Sequence, residues 1–230
     1  MKKIAIVQSN YIPWKGYFDN IAQVDDFILY DDMQYTKRDW RNRNLIKTPY
    51  GLKWLTIPVN VKGKYFQKIN ETKVSDKSWK TAHLGLIKQS YKRAKFYKDT
   101  WEWLEEVYMN CNYQYLSEIN LHFIKAINKL LNIKTEIHLS HDFELHNDRN
   151  MRLINICKDL GGTDYFSGSA AKFYIDEGLF KQNDINLHYF DYSGYQEYNQ
   201  LYDGFEHKVS ILDLFFNLGD KTKFYLKSNK

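Results

Sequence analysis

Between residues 8 and 47 the chain gathers side chains suited to holding a phosphorylated sugar or nucleotide. They are Gln8, Asn10, Tyr11 and Trp14, then Asp31, Asp32 and Tyr35, then the run Arg38-Asp-Trp40-Arg41-Asn42-Arg43-Asn44, with Lys47 beyond it. Guanidinium groups bind phosphate bidentately, and tryptophan offers a face on which a base or sugar can stack. Adjacent carboxylates can hold a divalent cation, act as a general base or bind sugar hydroxyls; they can equally cap a turn. A capped aromatic loop and a solvated basic surface are the plainer readings of the same residues.

Further along, His83 opens a predicted helix, where a histidine serves either as a base or as a buried structural group. Ser167-Gly-Ser169-Ala-Ala171 leaves a predicted strand, and its small residues permit close approach of a ligand or form an ordinary tight turn. Gly-x-Ser-x-Gly is absent, so no hydrolase nucleophile is expected. Arg149 and Arg152 could reach the same edge from a helix start. The histidines, including His138-Leu-Ser-His141, lack metal-ligand spacing, and no metal site is expected. Cys111 and Cys157 are expected to be buried, reduced thiols.

These residues need a scaffold, and the apolar pattern supplies one. Ile4–Val7 and Asp26–Tyr30 read as short buried strands, with helical spacing between them in Trp14, Tyr17, Phe18 and Ile21. Strand, helix, strand is the economical start of a parallel sheet, and in open α/β sheets ligands bind at the carboxyl edge of the strands. Residues 8–14 and 31–35 both leave that edge. Leu52–Val59 reads as a third strand after a Pro49-Tyr-Gly51 turn, and residues 61–74 carry no clear period. Residues 79–131 show apolar side chains at helical spacing, enough for three or four helices forming a helical insertion or subdomain. Strands follow at 135–140, 164–166 and 185–190, with helices at 149–160 and 209–218. The expectation is one α/β domain spanning 1–230, Rossmann-like, with a mostly parallel sheet.

Composition adds a bias in charge. The net charge is +5, but residues 1–100 carry +11 and residues 101–230 carry −6. An anionic partner is therefore expected on the amino-terminal half. Lys62, Lys64, Lys68, Lys73, Lys77 and Lys80 are spaced as a solvated surface rather than a dense arm, which disfavours nucleic acid. Aromatic residues make up 17% of the chain, with 19 Tyr and 6 Trp, which suits sugar or base stacking as well as core packing. The start has too short an apolar run for a signal peptide, and no stretch could span a membrane. A cytoplasmic protein is expected.

The motifs Gln-x-Asn-Tyr-x-Pro-Trp-x-Gly-Tyr-Phe, Tyr-Asp-Asp-x-Gln-Tyr, Asp-Trp-Arg-Asn-Arg-Asn-x-Ile-Lys-Thr-Pro-x-Gly, Trp-Leu-Thr-Ile-Pro-Val and the distal Leu-Asp-Leu-x-Phe-Asn-x-Gly resemble the WbqC-like protein family from residue 4 to about residue 219. Many relatives begin His-Gln-Pro; here the positions are Val7-Gln8-Ser9, so only Gln8 carries over. The resemblance implies a place in bacterial O-antigen and related surface-polysaccharide synthesis, with aminoacyl or acyl transfer to an amino sugar among the chemistries proposed for the family. In placement, the first loop is also similar to nucleotidyltransferase-like enzymes such as pantothenate synthetase. Their His-x-Gly-His is replaced here by Trp14-Lys-Gly16-Tyr17, and with no Gly-rich dinucleotide loop or Walker loop this disfavours an ATP-dependent ligase.

The resulting expectation is a transferase acting on a nucleotide-linked amino sugar, with an activated acyl or aminoacyl donor and no other cofactor. Arg38, Arg41, Arg43 and Lys47 would neutralise a diphosphate. Trp14, Trp40 or Tyr35 would stack on base or sugar. Asp31 or Asp32, with His83 in reserve, would deprotonate the attacking amine. The rival is a non-catalytic binder of nucleotide sugars or glycans within a biosynthetic complex.

Overall fold

A computed structural model describes residues 1–229. Its strands are β1 (Lys3–Val7), β2 (Asp26–Leu29), β3 (Arg43–Thr48), β4 (Gly51–Thr56), β5 (Glu136–Leu139), β6 (Asp164–Ser167) and β7 (Asn186–Tyr189). Its helices are α1 (Lys15–Ala22), α2 (Trp79–Tyr91), α3 (Tyr97–Asn110), α4 (Leu116–Leu131), α5 (Arg149–Asp159), α6 (Glu177–Gln182) and α7 (Leu212–Leu218). No helix among the described residues is long and apolar enough to cross a membrane.

Five strands form one sheet in the order β5-β2-β1-β6-β7, and every pairing in it is parallel. The chain builds outward from β1 to β2 and β5, then returns to the other side of β1 for β6 and β7. The order therefore reverses at β1, and adjacent connections diverge there to leave a crevice at the carboxyl edge.

Strand side chains alternate between faces, and both faces are apolar, as a sheet covered by helices on each side requires. Ala5, Phe27 and Leu29 share a core with Phe18 and Ile21 of α1, Leu104 and Tyr108 of α3, Phe123 and Ile127 of α4, and Phe215 and Phe216. Ile4, Ile6, Ile28 and Tyr165 share the other with Leu153, Ile156 and Cys157 of α5 and Phe180 of α6. The helices of 79–131 thus cover one face of the sheet.

The expected third strand exists, but its setting differs. β4 pairs antiparallel with β3, Arg43 opposite Thr56 through Thr48 opposite Gly51, as a hairpin outside the parallel sheet. Polar residues at Arg43, Asn44 and Lys47 masked β3 as a loop, because this strand buries its polar side chains against other segments of the chain. Residues 61–74 form no regular element, only the bridges Gln34–Lys68, Val59–Val74 and Lys73–Tyr115. α6 went unseen because six residues show too little periodicity; Asp176 caps it by accepting from the Leu179 N–H.

At the turn from α5 into β6, a Cβ on Gly162 would lie 2.3 Å from Cγ1 of Ile4 and 3.1 Å from the Cys157 carbonyl oxygen. Ile4 is fully buried in β1 and has no room to yield. Gly162→Ala is expected to cost about 1–3 kcal/mol of stability, the usual price of overpacking, measured by urea unfolding. An unchanged midpoint would show that this turn is not closely packed.

Candidate functional site

After Val7 the chain leaves the sheet as an irregular, largely buried loop, whose backbone polar groups must be paired from elsewhere. The segment from Asp31 to Asn44 pairs most of them. The Ser9 N–H donates to Asp31 Oδ1 at 2.8 Å, and the Tyr11 N–H to the Trp40 carbonyl at 3.0 Å. Arg41 Nη1 donates to the carbonyls of Gln8 and Ser9 at 3.3 and 3.2 Å and to Asn10 Oδ1. The Asn44 amide donates to the Tyr11 and Ile12 carbonyls at 3.1 and 2.9 Å, holding Ile12 at a φ of 37°. Asn120 of α4 completes the clasp, donating to Ser9 Oγ and to the Arg41 carbonyl, each at 2.9 Å.

This loop forms one wall of a cavity of about 650 Å³, within the range that holds drug-sized ligands. Asn10, Pro13 and Trp14 line it from the loop, Trp40 and Asn44 from the approach to the hairpin, and Tyr192, Tyr195, His207 and Lys208 from the segment after β7. The Trp14 ring lies 5.6 Å from Tyr192 and 5.5 Å from Tyr195, and Trp40 lies 5.3 Å from Trp54, which carries the Arg43 guanidinium at 4.0 Å. Asn20 donates to the Tyr192 hydroxyl at 2.8 Å, fixing that ring.

Behind Tyr195 sits Lys15, buried, with its ammonium 5.0, 5.4 and 5.8 Å from the ring centres of Tyr195, Tyr198 and Phe205. It donates to the Gln196 carbonyl at 3.0 Å. Burial lowers its pKa to about 8 against the opposing pull of Asp19, Asp213 and Glu197. Burial, and then the Lys15 charge, push His207 below the ordinary histidine value. His207 is therefore neutral at pH 7, and its Nδ1 is buried without a hydrogen-bond partner among the described residues.

The residues singled out in the sequence divide into those at the cavity and those elsewhere. Asn10, Trp14 and Trp40 line it, and Gln8 and Arg41 shape its wall. Arg43 is stacked on Trp54 and donates to the Arg38 carbonyl, with Arg38 itself exposed. Asn42 is buried and donates to the Ile57 carbonyl at 2.8 Å. Tyr35 is buried, its N–H on the Gln67 carbonyl. Ser167 is buried within hydrogen-bond reach of the Tyr165 hydroxyl, Ser169 is exposed, and neither lines the cavity.

Three placements depart from the expected roles. Lys47 does not join an anion-binding patch: its ammonium is buried and donates to Gln200 Oε1 at 3.0 Å and to the carbonyls of Tyr202, Asp203 and Gly204, tying down that loop. His83 lies in the core. Its Nε2 faces the Thr56 carbonyl at 3.1 Å and must carry the proton, so Nδ1 accepts from the Tyr11 hydroxyl at 2.9 Å, which in turn accepts from Tyr108 at 2.5 Å. Burial lowers the His83 pKa to about 4. Asp31 and Asp32 lie on the β2 side of the loop, away from the lining of the large cavity. Asp32 accepts from Ser140, Lys68 and Asn70, and these contacts outweigh its burial and lower its pKa.

Lys15, Tyr192, Tyr195, His207 and Lys208 were not foreseen as site residues. The signal available was the density of aromatic residues from Tyr189 to Phe205.

With this geometry in place, the comparisons with known proteins are informative about kinship. Residues 8–224 match the WbqC-like protein family, and the chain belongs to it. An uncharacterized protein of Mycobacterium tuberculosis (strain ATCC 25618 / H37Rv), Rv1507c, is 49% identical over 227 residues, covering 99% of this chain and 98% of its own. No solved structure matches.

Two outcomes test the packing of the site. A Cβ on Gly16 would come within 2.3 Å of the Trp14 ring. Gly16→Ala is therefore expected to destabilise wild type by about 1–3 kcal/mol but to be nearly neutral in a Trp14→Ala background, a coupling that urea unfolding of the double-mutant cycle reads directly. Additive losses would mean that the ring does not fold back over Gly16. For His83, the folded pKa near 4 lies below the unfolded value of 6.5, so the unfolded state binds more protons as pH falls. Stability is lost between pH 6.5 and 4, by on the order of 3 kcal/mol, and His83→Gln removes this component. Identical pH slopes in wild type and variant would place His83 in water.

Proposed function

We propose that this member of the WbqC-like protein family is a transferase that adds an acyl or aminoacyl group to an amino sugar carried on a nucleotide, in the cytoplasmic stage of surface-polysaccharide synthesis. The observation that carries the reading is the cavity between the loop that leaves β1 and the segment that follows β7. Its walls are aromatic, its polar groups are few and of distinct kinds, and they include His207, whose pKa burial lowers. The fold supports the reading by analogy with Rossmann-like enzymes, which place a nucleotide at the carboxyl edge of the sheet.

In this reading Trp14 and Tyr195 stack on the base or sugar, Asn10 and Asn44 bracket the ligand's hydroxyls, and Lys208 faces the diphosphate. An amine with an ordinary pKa is protonated at neutral pH and cannot attack. His207 takes that proton as general base, the freed nitrogen attacks the carbonyl carbon of an ester or thioester donor, and the protonated imidazole passes its proton to the leaving oxygen or sulfur; the second N–H proton of the adduct then goes to the neutral imidazole and on to solvent. The bond formed is the amide, and the bond broken is that between the acyl carbon and its leaving group. His207 replaces Asp31 and Asp32 in this role because the carboxylates face a different depression.

One observation favours the non-catalytic rival: Arg41, Arg43 and Lys47 serve the fold, so the cavity holds less positive charge than a diphosphate-transfer site commonly would.

The test is titration calorimetry and thermal shift against UDP-, GDP-, CDP- and dTDP-linked amino sugars. A ligand at 100 times its dissociation constant is expected to stabilise the fold by about 2.7 kcal/mol. Trp14→Ala should weaken binding by about tenfold, the loss of one aromatic contact of roughly 0.5–1.5 kcal/mol. His207→Gln should bind as wild type while turnover falls by about 10²–10⁴. Because the His207 pKa is lowered, the wild-type rate should rise from acid pH and level off earlier than an ordinary histidine would allow. Binding without turnover in wild type would favour the rival, and a flat panel would remove both readings.

A further inference from the structure

On the far side of the Gln8–Asn10 loop, between the carboxyl ends of β2 and β5 and the first turn of α4, lies a separate cavity of about 170 Å³. This is below the roughly 300–1,000 Å³ that larger ligands fill, so an occupant would have only a handful of heavy atoms. Leu29, Leu121 and Leu139 give it apolar walls, and its polar groups are Asp31, Asn70 and Ser117, with Glu118 at the helix start.

The notable feature is what those polar groups lack. Asp31 is 3% exposed; its Oδ1 is committed to the Ser9 N–H, and its Oδ2 has no partner among the described residues. Asn70 donates its amide to Asp32 at 3.3 Å, and its Oδ1 is also buried and unpaired. Burial raises the Asp31 pKa against the opposing pull of Ser9, Ser117 and Arg41, and the Ser117 hydroxyl makes no well-formed hydrogen bond. Buried acceptors without donors cost about 1–3 kcal/mol each and are few in native proteins. Two such acceptors, Asp31 Oδ2 and Asn70 Oδ1, and the unpaired Ser117 hydroxyl belong to residues that line one small cavity, and together they call for a group rich in N–H donors.

We propose that this cavity is a second ligand site, which takes the primary ammonium group of a compact, free α-amino acid. An ammonium offers three donors and one positive charge, matching the three unpaired oxygens Asp31 Oδ2, Asn70 Oδ1 and Ser117 Oγ. The outer rim has the opposite character. Asn70, Tyr115 and His141 continue into an open depression with Lys68 and Lys73, the latter's ammonium 4.9 Å from the Tyr115 ring centre. Lys68 pairs with Asp32 at 3.3 Å, and Glu71 shares the depression. The rim can therefore meet the carboxylate end of the ligand while the leucines meet a short side chain. These lysines also make the cavity a poor place for a bare metal ion. The inference is independent of what the larger cavity binds.

Thermal shift and calorimetry on the full chain decide it, with the standard amino acids, the matching N-acetyl amino acids, simple carboxylates and Mg²⁺ as probes. One or a few small apolar amino acids should raise the melting temperature, and their N-acetyl forms should not. Asp31→Asn and Ser117→Ala should weaken binding by tenfold or more. Since Asp31 also holds the Ser9 loop, Leu121→Trp provides a second route: it fills the cavity from a half-buried wall position and should abolish the response with the fold intact. The proposal is overturned if no free amino acid stabilises wild type at millimolar concentration, if only Mg²⁺ does, or if Leu121→Trp binds as well as wild type. Water alone would then fill the cavity. If the N-acetyl forms bind equally, the ammonium assignment is wrong.

Discussion

The first loop leaves a buried strand without regular hydrogen bonding, and almost everything at the carboxyl edge follows from how that deficit is met. Arg41, Asn44 and Asp31 supply the partners for backbone groups between Gln8 and Ile12, and Asn120 ties the Ser9 hydroxyl to the Arg41 carbonyl. Unpaired, those groups would each cost about 1–3 kcal/mol. The clasp fixes one wall shared by two depressions, one aromatic and large, the other small and rich in buried oxygen atoms. It also explains why two polar motifs far apart in the chain go together: one is the loop, the other its support.

A second set of contacts closes the large cavity from the opposite side. Asp213, buried at the start of α7, accepts from Tyr91 and Tyr198 at 2.8 and 2.7 Å, and burial raises its pKa despite those donors. Tyr198 in turn faces Lys15, and Lys47 anchors the carbonyls of 202–204. Three buried charged side chains thus organise a segment that has no helix or strand of its own between β7 and α7. The positive bias of the amino-terminal half is partly consumed in this internal work, which is why charge counting overstated how much cation is available to a ligand.

Much of the scaffold was legible in the sequence. The five parallel strands and the helices at 15–22, 79–131 and 149–159 follow from apolar runs and helical spacing, because burial on two faces leaves an unmistakable pattern. β3 was hidden because its polar residues pair with other segments rather than with water. The site was half legible. Asn10 and Trp14 stood out because they follow a strand closely and Trp40 because it is interleaved with arginines, whereas Tyr195, His207 and Lys208 lie in an irregular return segment whose position depends on tertiary contacts such as that of Lys47. Arg41 was conspicuous for its chemistry, but its guanidinium is engaged with backbone carbonyls, a distinction that residue type alone does not carry.

The most direct measurement is a crystal structure of the protein with a nucleotide-linked amino sugar. The account places the base or sugar between Trp14 and Tyr195, with the sugar nitrogen within about 3 Å of a His207 ring nitrogen, the reach of a general base. A ligand seated elsewhere, or one whose amine points away from His207 while the aromatic cavity stays empty, would contradict it.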